Sequence, residues 1–247
     1  MVEDCMAARL GRVLKPKVLI ASNGSVIARY HSDAQFRRNV DQADLVDADG
    51  MPLVLASRFF CGAPLVERIA TTDFIEDAAA AAAKAGLRFY FLGGKPGVAQ
   101  KAARKLTERY PGLQIVGTRH GYFSASEEGA IIADILAKKA DVLWLGLGSP
   151  HQEAFAIRLR DELPGVGWIR TCGGLFDHVS GAVPRATKRM QSMGLEWLHR
   201  LLVEPRRLAW RYITTNPVAC FHLLTKTFEW AEPSVGAPVD ALGILVG

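Results

Sequence analysis

The sequence predicts an α/β protein: a doubly wound, mostly parallel, Rossmann-like sheet carrying a basic amphipathic helical appendage toward its C-terminal end. Three observations predict it. Short β-rich runs alternate six times with helical patterns, as expected for parallel strands joined by crossover helices. Glycine or a small polar residue follows nearly every run. From Lys188 onward the strand pattern stops and arginine, leucine and tryptophan take over.

Residues 1–16 read as an N-terminal extension, with early acids and no apolar stretch long enough for a signal peptide. KVLIAS (17–22) is the first expected strand, followed by a helical stretch to about Val40. ADLVDA (43–48) is the second strand, and a helical run follows Gly50. Thr72 or Asp73 should cap the next helix, which contains the alanine run 78–83; alanine is the best helix former. LRFYFLGG (87–94) precedes the helix GVAQKAARKLTERY. LQIVGT precedes SEEGAIIADILAKK, and DVLWLGLG precedes HQEAFAIRLRDEL. GWIRTCGG is the last strand, and Trp144 is assigned to the core. Residues 17–187 thus read as an α/β catalytic domain, 188–230 as a helical appendage split at Pro205, and 231–247 as a flexible tail.

Composition excludes several classes. The 247 residues suffice for one large core, and half of them are apolar, which argues against disorder. Four scattered cysteines without a C-x-x-C pair argue against a zinc ribbon or a disulfide scaffold and fit a reducing cytoplasm. No apolar run approaches the ~20 residues of a membrane span. The net charge of +5 is concentrated between Arg185 and Arg211, where seven basic residues face two acids. Leucines and tryptophans are interspersed with those charges, which suits an anionic bilayer surface better than nucleic acid. Packing on the core or in a homo-oligomer is the competing use of the apolar half.

In open parallel sheets ligands bind beyond the carboxyl ends of the strands. The residues following the expected strands are Asn23-Gly24, Asp49-Gly50, Gly93-Gly94-Lys95-Pro96-Gly97, His120-Gly121-Tyr122, Gly146-Leu147-Gly148-Ser149-Pro150 and Gly173-Gly174. Two of these loops, GGKPG and GLGSP, run into helix starts, where glycine amides and the helix dipole favour phosphate. There is no Walker loop. His151 occupies the slot where a dinucleotide fingerprint needs its third glycine or alanine, which argues against an NAD enzyme. Asp47-Ala48-Asp49 spells a D-x-D pair, and on an extended strand both carboxylates would point the same way and share a divalent ion. The competing reading makes Asp47 a strand-end solvent residue and leaves Asp49 alone as the reactive acid.

The blocks ADLVDADGMPLVLASRF, FYFLGGKPGVAQKAARKL, YPGLQIVGTRHGYF, ADVLWLGLGSPHQE, GGLFDHVSGAVPRA and GLEWLHRLLVEPRRLAWRY occur in this order. Together they resemble the WecG/TagA/CpsF glycosyltransferases, glycosyltransferase family 26, over about residues 18–217. The resemblance implies inverting transfer of a hexose from a UDP-sugar to a polyprenyl-diphosphate-linked sugar. It further implies that the work is done on the inner face of the cytoplasmic membrane, in exopolysaccharide or cell-surface polysaccharide synthesis, without metal or cofactor. It implies Asp49 as general base, with Asn23, Arg68, Gln152, Arg200 and Arg207 as substrate-binding residues beside Gly93, Gly94, Lys95, Gly146, Gly148 and Ser149. Because that pattern requires only the second acid, the metal-free reading of Asp49 is preferred. The chain departs from the pattern at Ala21 (threonine in many members), Gly24, Ala48 and Trp210. The missing threonine keeps a second function in view, a non-catalytic sugar-nucleotide-binding or scaffolding member of an assembly complex.

Overall fold

Six parallel strands form one sheet in the order β2-β1-β6-β5-β3-β4. The computed structural model describes residues 1–227, except the side chains of Ser192 and Arg207; the expected tail 231–247 lies outside the described residues. In chain order the elements are α1 (Val2–Arg9), β1 (Lys17–Ser22), α2 (Gly24–Ser32), α3 (Ala34–Val40), β2 (Leu45–Ala48), α4 (Met51–Phe60) and α5 (Thr71–Ala85). They continue with β3 (Arg88–Gly93), α6 (Val98–Arg109), β4 (Gln114–Arg119), α7 (Glu128–Ala137), β5 (Val142–Gly146), α8 (His151–Leu159), β6 (Trp168–Thr171) and α9 (Leu175–Ser180). The last three are α10 (Lys188–Ser192), α11 (Glu196–Val203) and α12 (Pro205–Lys226). The expected α/β class holds, with every strand parallel.

The chain divides into two compact units: Met1–Ile20, Ala43–Leu45 and Thr71–Val183 form the first, and Ala21–Gln42, Val46–Ala70 and Pro184 onward the second. In the first unit the central strands β3 and β5 are apolar on both faces, as parallel strands covered by helices are. Phe89, Phe91, Val142, Trp144 and Trp168 pack with Ile75, Ala78, Ala79 and Ala82 of α5 and with Ala102 and Leu106 of α6. The alternate residues Tyr90, Leu92, Leu143, Leu145 and Ile169 are buried as well. The alanine run therefore lets α5 lie close to a face lined by aromatics.

Sequence alone assigns no element to residues 1–16, yet α1 is pinned to this unit. Arg9 donates from Nε and Nη2 to the fully buried Asp141 carboxylate at 2.6 and 2.5 Å, and Arg88 donates to it from Nε and Nη2 at 3.1 Å. Gly167 leaves room for Cys5: a Cβ there would lie 2.5 Å from the Cys5 Cα. Trp168 Nε1 donates to Asp4 at 2.9 Å.

In the second unit α12 packs along α2 and against α4. Leu208, Ala219 and Leu223 of α12 are buried, and a Cβ at Gly24 would lie 3.4 Å from Asn216 Oδ1. His31 of α2 stacks on His222 of α12 with centroids 3.7 Å apart.

Three local expectations change. The single helix expected to Val40 is two, because Asp33 leaves helical geometry and caps α3 by accepting from the Gln35 and Phe36 amides. Helix α5 begins at Thr71, so Asp73 stands in its first turn, where its charge complements the dipole. The described part of the appendage holds three helices, because Thr187 caps an extra short one, α10. The break at Pro205 is as expected: α11 ends at Val203, and proline, which lacks an N–H, opens α12.

Candidate active site

The residues singled out from sequence fall in both units. In the second unit the exits of β1 and β2 lie side by side. The Asp49 amide donates to Ser22 O at 2.9 Å and also contacts Asp47 O at 3.2 Å. That second contact closes a three-residue turn over Ala48, so Asp47 and Asp49 do not follow the alternation of a continuous strand. Among the described residues, no group of three or more His, Cys, Asp or Glu side chains is arranged to hold a metal ion.

Asn23 caps α2: its Oδ1 accepts from the Ser25 and Val26 amides at 3.0 and 3.4 Å. The cap uses the oxygen, so what Asn23 offers a ligand is the N–H donors of Nδ2. Gly50 caps α4 with no side chain, and a Cβ built on it would lie 3.5 Å from the Asn23 Cα. Asp49 is therefore seated, partly buried, beside Asn23 and at the start of a helix whose first amides point outward.

Arg68 returns to this rim by way of the loop after α4. Ser57 Oγ accepts from the Leu65 amide at 3.0 Å, Arg58 donates to Val66 O at 3.0 Å, and the Ile69 amide donates to Ala48 O at 2.9 Å. The last bond sets Arg68 next to the residue that precedes Asp49. The Arg68 guanidinium donates to Glu196 Oε2 at 2.5 Å, and Arg185 Nε donates to Glu196 Oε1 at 3.1 Å. Burial by itself would raise the Glu196 carboxyl, but the hydrogen bond from Arg68 and the charge of Arg185 hold it below the usual carboxylate range. Arg185 and Glu196 were not singled out as site residues from sequence. The only signal available was that Glu196 is one of two acids in a strongly basic stretch. Arg200 is half-buried on α11. Arg207 lies on α12, and its side chain is outside the described part of the structure.

In the first unit the glycine turns of β3, β5 and β6 close on one another. A Cβ at Gly93 would lie 2.2 Å from Gly146 O, and one at Gly146 would lie 2.8 Å from Gly173 O. The Gly94 amide donates to Gly146 O at 3.1 Å, and the Gly121 amide to Gly94 O at 2.9 Å. Gly93 and Gly146 are thus required by backbone packing itself. Gly148 differs: its φ is +80° and no atom lies within 4 Å of where a Cβ would stand. Lys95 and Ser149 are exposed on the same two loops, which lead directly into α6 and α8 as expected. Gln152 is 5% exposed, and its carboxamide is engaged: Oε1 accepts from the Gly173 amide at 3.0 Å and Nε2 donates to the buried Glu153 at 2.9 Å. In this structure Gln152 ties the β5 exit loop to the β6 exit.

A family model described as the Glycosyl transferase WecG/TagA/CpsF family matches residues 2–232 of the 247. The chain belongs to that family. It is a glycosyltransferase by descent, with a role in polysaccharide synthesis, and it acts in general between a sugar donor and an acceptor. The fold and the family agree with the resemblance drawn from the six sequence blocks. No described helix of this glycosyltransferase is long and apolar enough to cross a membrane.

Proposed function

We propose that this glycosyltransferase moves a hexose from a UDP-sugar to a polyprenyl-diphosphate-linked sugar with inversion, using Asp49 as general base. The observation that carries the reading is the gathering of Asp49, Asn23 and Arg68 at one rim of the second unit, through the Ser22–Asp49 and Ala48–Ile69 backbone bonds. In the transfer the acceptor hydroxyl oxygen attacks the anomeric carbon while its proton passes to an Asp49 carboxylate oxygen. The bond from that carbon to the diphosphate oxygen breaks, and UDP departs with the electron pair. Arg68 and the first-turn amides of α4 are suited to take up the charge that develops on the diphosphate. Asn23 Nδ2 is suited to a sugar hydroxyl. Within the first unit, taken by itself, the open, left-handed Gly148 and the exposed Lys95 and Ser149 are proposed as phosphate contacts, with Gln152 acting through the loop it ties down.

The appendage is proposed to dock on the anionic inner leaflet. On α12, Trp210, Ile213, Phe221 and Leu224 are each at least 60% exposed, and on α11 Leu202 is 70% exposed. Arg206, Lys188 and Arg189 are exposed in the same basic stretch. Apolar side chains interleaved with cations fit an interfacial helix on acidic lipid, and the same cations, Arg200 and Arg207 included, suit the diphosphate of the acceptor.

Asp49→Asn tests the chemistry. The amide keeps the shape and cannot accept the proton, so transfer should fall roughly 10²–10⁴-fold while UDP binding persists. Near-wild-type turnover would remove Asp49 as the base. Absence of turnover in the native protein across a panel of UDP-sugars would favour a scaffolding role instead. Full loss of activity in EDTA, restored by manganese, would assign Asp47 and Asp49 to a metal.

A further inference from the structure

The outer face of α4 has the wrong chemistry for an ordinary surface helix. Such a helix turns its apolar stripe to the core and polar residues to water. Helix α4 buries Leu53, Val54, Ala56 and Ser57, yet its other face carries Pro52, Leu55 and Phe59. Leu55 is 46% exposed and Phe59 80%. Residues three and four apart share a helix face, so these side chains form one stripe.

Three bonds lay a second strip of chain beside it. Near the end of α4 the Leu65 amide donates to Ser57 Oγ and Arg58 donates to Val66 O, while the Ile69 amide donates to Ala48 O just before its start. Residues 65–69 therefore run back along α4 from end to beginning. Val66, 87% exposed, stands at the same end as Phe59. Arg58 is exposed there too: its Nη2 donates to Val66 O at 3.0 Å, and its planar fork carries further donors.

The far end of α4 thus sets a cation among apolar side chains. A second copy of the chain is a poor match, because this handful of side chains falls far below the roughly 20–30 residues a side of a stable interface. An amphiphile with an anionic head and an apolar tail matches both parts. Asp49 lies at the opposite end of this ten-residue helix, about 15 Å long. That length leaves room for a sugar between the base and the guanidinium.

We infer that the outer face of α4 receives the acceptor where its diphosphate joins its isoprenoid tail. Arg58 takes diphosphate oxygens, and Leu55, Phe59 and Val66 take the first isoprene units. This rests on the transfer reaction proposed above, because the acceptor hydroxyl at Asp49 sets the direction in which the tail leaves.

Calorimetric titration of the full chain with geranyl diphosphate and with methyl diphosphate tests the assignment, with UDP at saturation so that the donor site is filled. The native chain should prefer the geranyl ligand by roughly tenfold or more, from the apolar area its tail buries. Leu55→Gln and Phe59→Gln together should bring the two affinities close and leave that for methyl diphosphate unchanged. Val66→Gln repeats the tail test should the double variant fail to fold. Arg58→Gln should weaken both ligands alike, by roughly tenfold. Leu14→Gln, which removes an exposed apolar side chain from the first unit, should change neither. No geranyl preference in the native chain, or one that survives the double variant, would overturn the tail site. A native dimer that the double variant dissociates would make the face a contact between copies and overturn it as well. Unchanged affinity for methyl diphosphate in Arg58→Gln would overturn the role of Arg58. Sugar transfer that Asp49→Asn leaves intact, with the geranyl preference present, would bring down the proposed reaction and leave the tail site standing.

Discussion

Gly93→Ala tests whether the glycine turns of the first unit are there for the backbone or for a ligand. Gly93 closes β3 at φ +146°, and an added Cβ would lie 2.2 Å from Gly146 O, 2.5 Å from its carbonyl carbon and 2.7 Å from its Cα. Ordinary contact begins at 3.4 Å, so β3 and β5 would have to part by about 1 Å. They are locked in register over five pairs, from Phe89–Val142 to Gly93–Gly146. The atom struck most closely also accepts from the Gly94 amide at 3.1 Å, so that bond is lost with the shift. Overpacking costs about 1–3 kcal/mol, the positive φ about 1–3 kcal/mol, and the hydrogen bond about 1 kcal/mol. The total, roughly 3–7 kcal/mol, is a large share of the ~5–15 kcal/mol that holds a protein folded. With an m-value of about 3 kcal/mol/M, the urea midpoint should fall by about 1–2 M. Gly97→Ala is the control: φ is +82°, but nothing lies within 4 Å of its Cβ. It should lose only the left-handed backbone term of about 1–2 kcal/mol. Equal midpoints for the two variants would refute the steric reasoning and return Gly93 to the pool of ligand-contacting glycines.

The remaining expectations concern the anchors and the appendage. Asp141→Ala should cost about 3–5 kcal/mol in chemical denaturation, because the cations of Arg9 and Arg88 lose their buried anion. Burial alone would raise the Asp141 carboxyl, but hydrogen bonds from Arg9 and Arg88 hold it below its ordinary 3.8. Its stabilisation is therefore complete above pH 3.8 and is lost as the pH falls through the lowered value, so an acid-unfolding curve of Asp141→Asn should lack that part of its slope. Burial and the charges of His222, Lys226 and Arg37 push His31 from 6.5 down to about 4. The unfolded chain then takes up a proton that the folded one refuses, so stability should decline as the pH drops from 6.5 toward 4. His31→Phe, which keeps a ring against His222, should flatten that stretch of the thermal midpoint profile. Replacing Trp210 and Ile213 together by glutamate should abolish co-sedimentation with acidic vesicles while the circular dichroism stays unchanged; full retention would rule out α12 as the docking face.

Strand positions and much of the rim were legible in the chain, because they are written locally. The run 89–92 and its counterpart 142–145 are apolar without interruption, which marks strands buried on both faces. The apolar run to Val46, followed by Asp47-Ala48-Asp49-Gly50, announced carboxylates at a strand exit. Capping residues were less legible. Asp33 looked like any polar residue within a helical stretch, and only its bonds to two amides reveal the break it makes.

What the sequence by itself determined is the alternation of strand and helix, the polarity of each strand exit and the basic character of the appendage. These follow from backbone preferences and periodicities that act over a few residues. Only the tertiary structure decided the strand order, the closure of Gly93 on Gly146, the pinning of Arg9 to a carboxylate 132 residues away and the bridge from Arg68 to Glu196 across 128 residues. The physical reason is common to all four. Each depends on which surfaces are left to pack once the local elements exist, and on the need of a desolvated charge or a crowded carbonyl to find its counterpart wherever the chain brings one.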